Sequence, residues 1–227
     1  MKTSLISFIV FSCVVAASGV DKSDLDGRIR ALTAKFEALQ KQPEKAIPAD
    51  TLKKAKAVVL LDRTKAGFIF AYQGGGGVAL ARDPKTGEWS PAAFMSASEA
   101  SLGFQIGGEQ NFFVILLMTT NATRMLTDST FDFGGEARGT AGDSSAGVEG
   151  KATPQEPAIL VYDDRKGLYG GAAIKGGAIS PDDKANRTYY EQVVTMKDIL
   201  FDKKVKPTPT ATELAAKLTQ YAKGPAK

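Results

Sequence analysis

The chain has no histidine among its 227 residues and a single cysteine, Cys13. Without histidine there is no Ser-His-Asp or Cys-His nucleophile system and no His-ligated zinc site. Cys13 lies inside the N-terminal apolar stretch. If that stretch is cleaved, no thiol, disulfide or thiolate metal ligand remains, and the core alone must hold the fold. Long hydrophobic runs are also scarce. The longest after the N-terminus, Phe112 to Met118, has the length of a strand rather than of a membrane span. Paired carboxylates occur only as neighbours, Asp163-Asp164 and Asp182-Asp183. Neighbours on a strand end point in opposite directions, whereas acid/base catalysis needs two carboxyls facing one cleft. Asp163 to Gly167 reads better as a hairpin turn, and Asp182-Asp183 as the cap of a helix after Pro181. Neither pair has the oxygen spacing of a calcium loop. No enzyme activity, cofactor or metal is expected; Glu109 with distant carboxylates is the remaining route to catalysis.

What is present suits one globular core: 43% of residues are hydrophobic. The first residues read as a signal peptide, with Lys2 as the positive end, Leu5 to Ala17 as the apolar region and small-residue cleavage sites at Val15-Ala-Ala17 or Ala17-Ser-Gly19. An exported protein is expected, periplasmic or secreted and peripheral to a membrane. Charge is uneven. Residues 41–65 carry seven basic against three acidic side chains, residues 66–202 eleven against seventeen, and residues 203–227 six against one. An acidic body with basic flanks suits a polyanion or an anionic membrane surface, or else terminal lysines that only keep the chain soluble. Lys53, Lys54, Lys56, Arg63 and Lys65 form the candidate lipid-binding cluster. Nucleic acid is not the expected partner, because the aromatics are not interleaved with the basic residues.

Along the chain, Leu25, Ile29, Leu32, Phe36 and Leu39 recur at spacings of four, three, four and three. This predicts an amphipathic helix over Asp21 to Lys41, with Ser23 and Asp26 as its N-cap pair. Its apolar face either lies on a membrane or packs on the domain or on a partner helix. A short helix is predicted from Pro48 through Lys56. Strands are predicted at Val58–Asp62, Gly67–Tyr72, Val78–Arg82, Trp89–Phe94, Gly103–Gly107, Phe112–Thr119, Phe131–Phe133, Glu136–Thr140, Gly147–Ala152, Ala158–Tyr162 and Leu168–Ile174. Phe112–Thr119 is predicted to be buried on both faces. Asp83 to Gly87 is a strong turn signal, and Asn121 to Asp128 reads as helical. Helices are again predicted at Asp182–Glu191, Thr195–Phe201 and Thr210–Tyr221. Gly74 to Gly77 reads either as a tight turn or as an anion-holding nest; it lacks the Lys-Ser/Thr of a nucleotide loop. Asn121-Ala-Thr and Asn186-Arg-Thr match the glycosylation pattern, but no use of them is expected. The sum is an α+β fold: a strongly bent or closed antiparallel sheet of many short strands, with N- and C-terminal helices covering an edge or an end.

Several segments resemble the SYLF domain family. Ile47-Pro48 and Leu52 to Lys56 resemble its opening, and Lys65-Ala-Gly-Phe68 its "KAGF". Gly74 to Gly77 resembles its glycine-rich turn, and Gly87-Glu-Trp-Ser-Pro91 its "G-x-W-S-x-P". Gln105-Ile-Gly-Gly-Glu109 resembles its "QIGAE", and Phe113 to Leu116 the apolar run next to that motif. Lys166 to Gly171 is similar to "KGLFAG". Asp183-Lys-Ala-Asn186 with Tyr189-Tyr190 resembles the closing "D-x-x-N-x-x-[FY]-Y-G", with Glu191 in place of the last glycine. The order and spacing of these pieces carry the resemblance from about Ile47 to Tyr190. It implies binding of phosphoinositides or other anionic phospholipids. In yeast-like endocytic members it also implies actin binding, a role not expected to transfer to an exported, bacterial-type chain. The expected organisation is a signal peptide (1–19), an amphipathic helix and linker (20–46), a SYLF-like domain (47–203) and a basic C-terminal helix or tail (204–227). The expected partner is an anionic phospholipid surface. The alternative is a cell-envelope interaction module that recruits a protein through the N-terminal amphipathic helix.

Overall fold

The structure is a computed structural model that describes residues 20–63, 75–97, 111–132, 157–164, 167–169 and 178–224. The expected signal peptide and the strands predicted at 67–72, 103–107, 136–140 and 147–152 lie outside the described residues, as does Glu109.

In chain order the elements are α1 (Lys22–Gln40), α2 (Ala49–Lys54), β1 (Ala57–Arg63), β2 (Gly75–Ala81), β3 (Ala93–Ala97) and β4 (Asn111–Leu117). Then come α3 (Thr120–Arg124), a 3₁₀ turn (Met125–Thr127), β5 (Phe131–Asp132), β6 (Ile159–Asp163), β7 (Gly167–Tyr169), β8 (Ala178–Pro181), α4 (Asp183–Tyr190), α5 (Met196–Leu200) and α6 (Pro209–Lys223). The eight strands form one antiparallel sheet in the order β5-β8-β3-β2-β1-β4-β6-β7. The fold is α+β as expected. The sheet is open rather than closed, since β5 and β7 end the described ladder without pairing to each other.

The helices lie on both faces of the sheet, not over an edge or an end. Phe112, Val114 and Leu116 of β4, with Val58 and Leu60 of β1 and Val78 and Leu80 of β2, pack beneath α1, α2, α4 and α6. The alternate residues Phe113, Ile115 and Leu117, with Val59, Leu61 and Ala79, pack beneath α3, the 3₁₀ turn and α5. A strand that is apolar at every position has no face to offer to water, so both sides of the sheet must be covered. This is the two-sided burial predicted for Phe112–Thr119.

The five stripe residues of α1 are each no more than 1% exposed. Burying each contributes about 1.5–3 kcal/mol, an upper range because the unfolded chain already hides some of this surface. The stripe therefore docks on the sheet. It is occupied within the chain's own core and offers neither a membrane-inserting face nor a partner-recruiting one. The N-cap is Asp21, not Ser23. Its carboxylate accepts from Asp24 N (2.9 Å) and the Asp24 side chain accepts from Asp21 N (3.2 Å), a reciprocal capping box. Asp26 is engaged elsewhere: its Oδ1 accepts the Tyr189 hydroxyl at 2.7 Å. The flanks 20–46 and 204–223, which the sequence sets apart from 47–203, thus share one core with it through α1 and α6.

Other expectations hold or shift locally. Asp83 Oδ1 accepts from Lys85 N and Thr86 N, which builds the expected turn, and Gly87 takes φ +75° at its end. Asp182 caps α4 by accepting from Ala185 N (3.0 Å), and Asp163 pairs with Gly167 across the β6–β7 hairpin. The strand predicted at Trp89–Phe94 begins only at Ala93. Before it, Trp89 makes one isolated bridge to Arg82, and Pro91 has no N–H to continue a ladder. Gly74 lies outside the described residues; Gly75 to Gly77 form neither a turn nor a nest but the start of β2, paired to β3 and, from Gly76, to β1. Space explains the glycines. A Cβ on Gly77 would sit 2.6 Å from the Leu60 carbonyl oxygen, and one on Gly76 3.1 Å from the Arg28 guanidinium carbon.

Candidate cationic site

Lys53 and Lys54 end α2, and Lys56 precedes β1 by one residue; all three are exposed. Local physics sets this up. α2 opens after Pro48 with Asp50 in its first turn and closes with two lysines, the charge order that suits a helix dipole. Leu52 is the buried anchor of the helix, which also packs along α6. Lys56 is fixed by its backbone, which donates from N to Leu117 O (2.8 Å) and accepts at O from Arg82 N (2.7 Å). Arg82 also reaches the C-terminal end of α2 through Nη2 and the Leu52 carbonyl at 3.5 Å. Sequence reasoning missed Arg82 as a neighbour of this patch. Only the antiparallel register of β1 and β2, which pairs Ala57 with Ala81, brings it there.

The other two cluster residues are not brought together with these three. Arg63 is the last residue of β1, about 23 Å along the strand from Lys56 at about 3.3 Å per residue. At that end Asp62 accepts from Lys35 Nζ at 2.5 Å, and Arg28 lies 3.7 Å from Asp182. Lys65 lies outside the described residues. A strand whose two ends are both basic looks like one cluster in the sequence and forms two sites in space.

The basic C-terminal flank is not a loose polycation. Lys203 pairs with Asp83, Lys204 with Asp198 and Lys217 with Glu37, at 2.5, 2.6 and 2.6 Å. The Asp83 carboxyl is lowered to about 2, first by the hydrogen bond from Lys203 and then by the backbone N–H groups of Lys85 and Thr86. Asp198 is held well below the usual carboxylate range, first by Lys204 and then by Thr195. Three of the flank's six lysines are thereby paired, two with carboxylates of the acidic body and one with Glu37 of α1, while α6 buries Leu214, Leu218 and Ala222. These exposed pairs are each worth little in stability.

The closing motif of the domain has a structural role. Asn186 is fully buried; its Oδ1 accepts from Phe94 N at 2.7 Å and its Nδ2 donates to Phe94 O at 3.2 Å. The carboxamide continues the β3 ladder beyond Pro181, where β8 stops. A glycan on Asn186 is therefore incompatible with this fold. Tyr189 hydrogen-bonds both Asp26 and Thr208, joining α4 to α1 and to the N-cap of α6. Burial, chiefly, raises the Tyr189 phenol far above its ordinary value. Among the described residues no three His, Cys, Asp or Glu side chains gather as metal ligands, and no helix is long and apolar enough to cross a membrane.

The fold is thus an open antiparallel sheet clad by helices on both faces, with a lysine patch at one end of its central strands. The family model Ysc84, described as Las17-binding protein actin regulator, matches residues 98–221. The chain belongs to this family, the SYLF family that its motifs resemble. It is 33% identical over 175 residues to LAS seventeen-binding protein 3 of Saccharomyces cerevisiae, covering 75% of this chain and 38% of that protein. Protein YSC84 of the same organism is also 33% identical over 175 residues, with 75% and 37% covered. SH3 domain-containing YSC84-like protein 1 of Homo sapiens is 31% identical over 167 residues, with 73% and 48% covered. The chain therefore spans less than half the length of these curated relatives. The name of LAS seventeen-binding protein 3 describes binding, and the family's description is of an actin regulator.

Proposed function

We propose that this chain is a non-enzymatic SYLF domain that binds anionic phospholipid headgroups at a membrane surface, with Lys53, Lys54 and Lys56 as its contact. One observation carries the reading: three exposed lysines within four residues, held on a helix end and a strand start that are both anchored in the core. Each lysine near an anionic leaflet contributes about 1 kcal/mol, so three give about 3 kcal/mol, roughly a hundredfold in partitioning. Arg63 and Lys65 would engage the same membrane only through a second contact at the far end of β1. An exported, periplasmic or secreted placement belongs to this proposal. Fractionation of cells expressing the tagged chain tests it, and retention in the cytosol would overturn that part.

The test of binding is co-sedimentation with anionic and neutral vesicles at low and moderate salt. The proposal expects binding to anionic vesicles alone, weakened by salt and by Lys→Glu exchange at positions 53, 54 and 56. Binding unaffected by the exchange would refute the assignment to this patch. A second reading, an actin or other protein partner, is favoured by the family's description as an actin regulator. Sedimentation with filamentous actin separates it, since this reading requires pelleting without vesicles. Such a partner would dock away from the apolar face of α1, which the core occupies.

A further inference from the structure

Beside the lysine patch, where β2 ends, a cavity of about 240 Å³ opens to the surface. Its apolar walls are Trp89, Pro91, Phe201, Val205 and Pro207. Phe201 is 39% exposed. Arg82 also lines the cavity, with its guanidinium carbon 4.2 Å from the centre of the Trp89 ring. That guanidinium has no carboxylate partner among the described residues. It donates from Nη1 to Gly87 O (3.2 Å) and from Nη2 to Leu52 O, while its buried Nε has no acceptor. A guanidinium carries five N–H groups, so three are left over. The Trp89 indole Nε1 is likewise buried without an acceptor. Two acidic side chains also line the cavity. Asp83 is neutralised by Lys203, and Glu88 is exposed and accepts from the Thr86 hydroxyl.

We propose that this cavity binds an amphiphilic anion, one oxyanion group on a short apolar body, with Arg82 holding the oxyanion and Trp89 and Phe201 flanking the apolar part. A half-buried cation with unused donors is costly to keep, and an oxyanion in the cavity that Arg82 lines supplies acceptors for the Nη1 and Nη2 N–H groups that Gly87 and Leu52 leave over. The apolar walls exclude water around that contact and reward a hydrocarbon neighbour. The volume is more than tenfold the roughly 10–15 Å³ that one water needs, enough for a charged head and the first part of a chain. The site is distinct from surface adsorption on lysines, because it takes one molecule into a concavity.

Trp89 is the only tryptophan in the chain, so its fluorescence reports on this cavity directly. The purified chain is titrated with hexyl phosphate, hexanol and inorganic phosphate. The proposal expects a saturable change with hexyl phosphate that is at least about tenfold weaker with hexanol or with phosphate alone, since each lacks half of the recognition. Arg82→Gln should lower the hexyl phosphate affinity about tenfold or more, with Arg82→Lys in between because it keeps the charge and loses the fork. Phe201→Ser, on an exposed wall, keeps the fold by circular dichroism and weakens hexyl phosphate but not phosphate. A response to phosphatidic acid vesicles in addition points to a membrane source, and a response to the monomer alone to a soluble one; both uphold the cavity. No saturable change with hexyl phosphate, equal responses to phosphate alone, or an unchanged Phe201→Ser affinity would overturn it. Because the titration uses monomers, it can fail while vesicle binding through Lys53, Lys54 and Lys56 survives, and the reverse.

Discussion

Replacing Asn186 tests the account of how the helical face is locked to the sheet. Its carboxamide makes two hydrogen bonds to Phe94 in a site with no exposure. Asn186→Ala removes both, at about 0.5–1.5 kcal/mol each, and strands the Phe94 N–H, at about 1–3 kcal/mol more. Phe94 O keeps a donor, because Asp182 N also reaches it at 3.0 Å. The expected loss is therefore about 3 kcal/mol, a large part of the roughly 5–15 kcal/mol of an ordinary domain. Asn186→Asp is more diagnostic. Ionised, its carboxylate still accepts from Phe94 N but has nothing to donate to Phe94 O, and it is a buried charge. Burial raises its folded pKa above the unfolded value of about 3.9. The sign comes from linkage: the folded state then binds more protons, so stability is retained below pH of about 4 and lost as pH rises toward the folded pKa. In that window the variant should lose about 1.4 kcal/mol per pH unit relative to the parent chain, while Asn186→Ala should track the parent. Urea unfolding followed by circular dichroism from acid to neutral pH measures both. A cost below about 1 kcal/mol for Asn186→Ala, or no relative pH slope for Asn186→Asp, would refute the reasoning.

Three further outcomes rest on single contacts. Glu191 sits at φ 55° at the C-terminus of α4, where the family pattern has glycine. Glu191→Gly should raise stability by up to about 1 kcal/mol, read as a rise in melting temperature, since its exposed contact with Lys22 is worth little. Gly77→Ala should cost about 1–3 kcal/mol or more in urea unfolding, because its Cβ meets backbone, the Leu60 carbonyl, rather than a side chain that can turn away. Tyr189→Phe should cost about 1–2 kcal/mol. The Asp26 carboxyl is lowered overall: desolvation pushes it up, but the hydrogen bonds from Tyr189 and Thr210 and nearby cations outweigh that. A depressed carboxylate contributes stability above its unfolded value of about 3.9, and that contribution is lost as pH falls. The Tyr189→Phe variant should therefore lose less stability than the parent on acidification, as acid titration of unfolding shows.

Elements whose cause is local were legible in the sequence. The spacing of Leu25, Ile29, Leu32, Phe36 and Leu39 specifies α1, the apolar run at Phe112 specifies β4, and Asp83 and Asp182 announce a turn and a cap within four residues of themselves. Elements whose cause is distant were not. Gly74 to Gly77 looked like a turn because glycine usually marks one, yet the reason for Gly76 and Gly77 is Arg28 from α1 and the Leu60 carbonyl from β1. β8 was missed: it has only four residues and ends on Pro181. The C-terminal lysines looked free because Asp83 and Glu37 are far away in sequence. The candidate site was half legible. Lys53, Lys54 and Lys56 share a surface because they are neighbours in sequence, but linear proximity cannot show that β1 carries Arg63 away to its other end, or that β2 returns Arg82 beside Lys56.

The central claim is that Lys53, Lys54 and Lys56 bind an anionic membrane surface. The most direct measurement is co-sedimentation of residues 20–227 with phosphatidylcholine vesicles with and without an anionic lipid, at low and moderate salt, beside the variant carrying glutamate at all three positions. The account predicts pelleting with anionic vesicles alone, a steep loss with salt, and a loss of at least about a hundredfold in partitioning for the variant. Equal pelleting of parent and variant, or none with any vesicle, would contradict it.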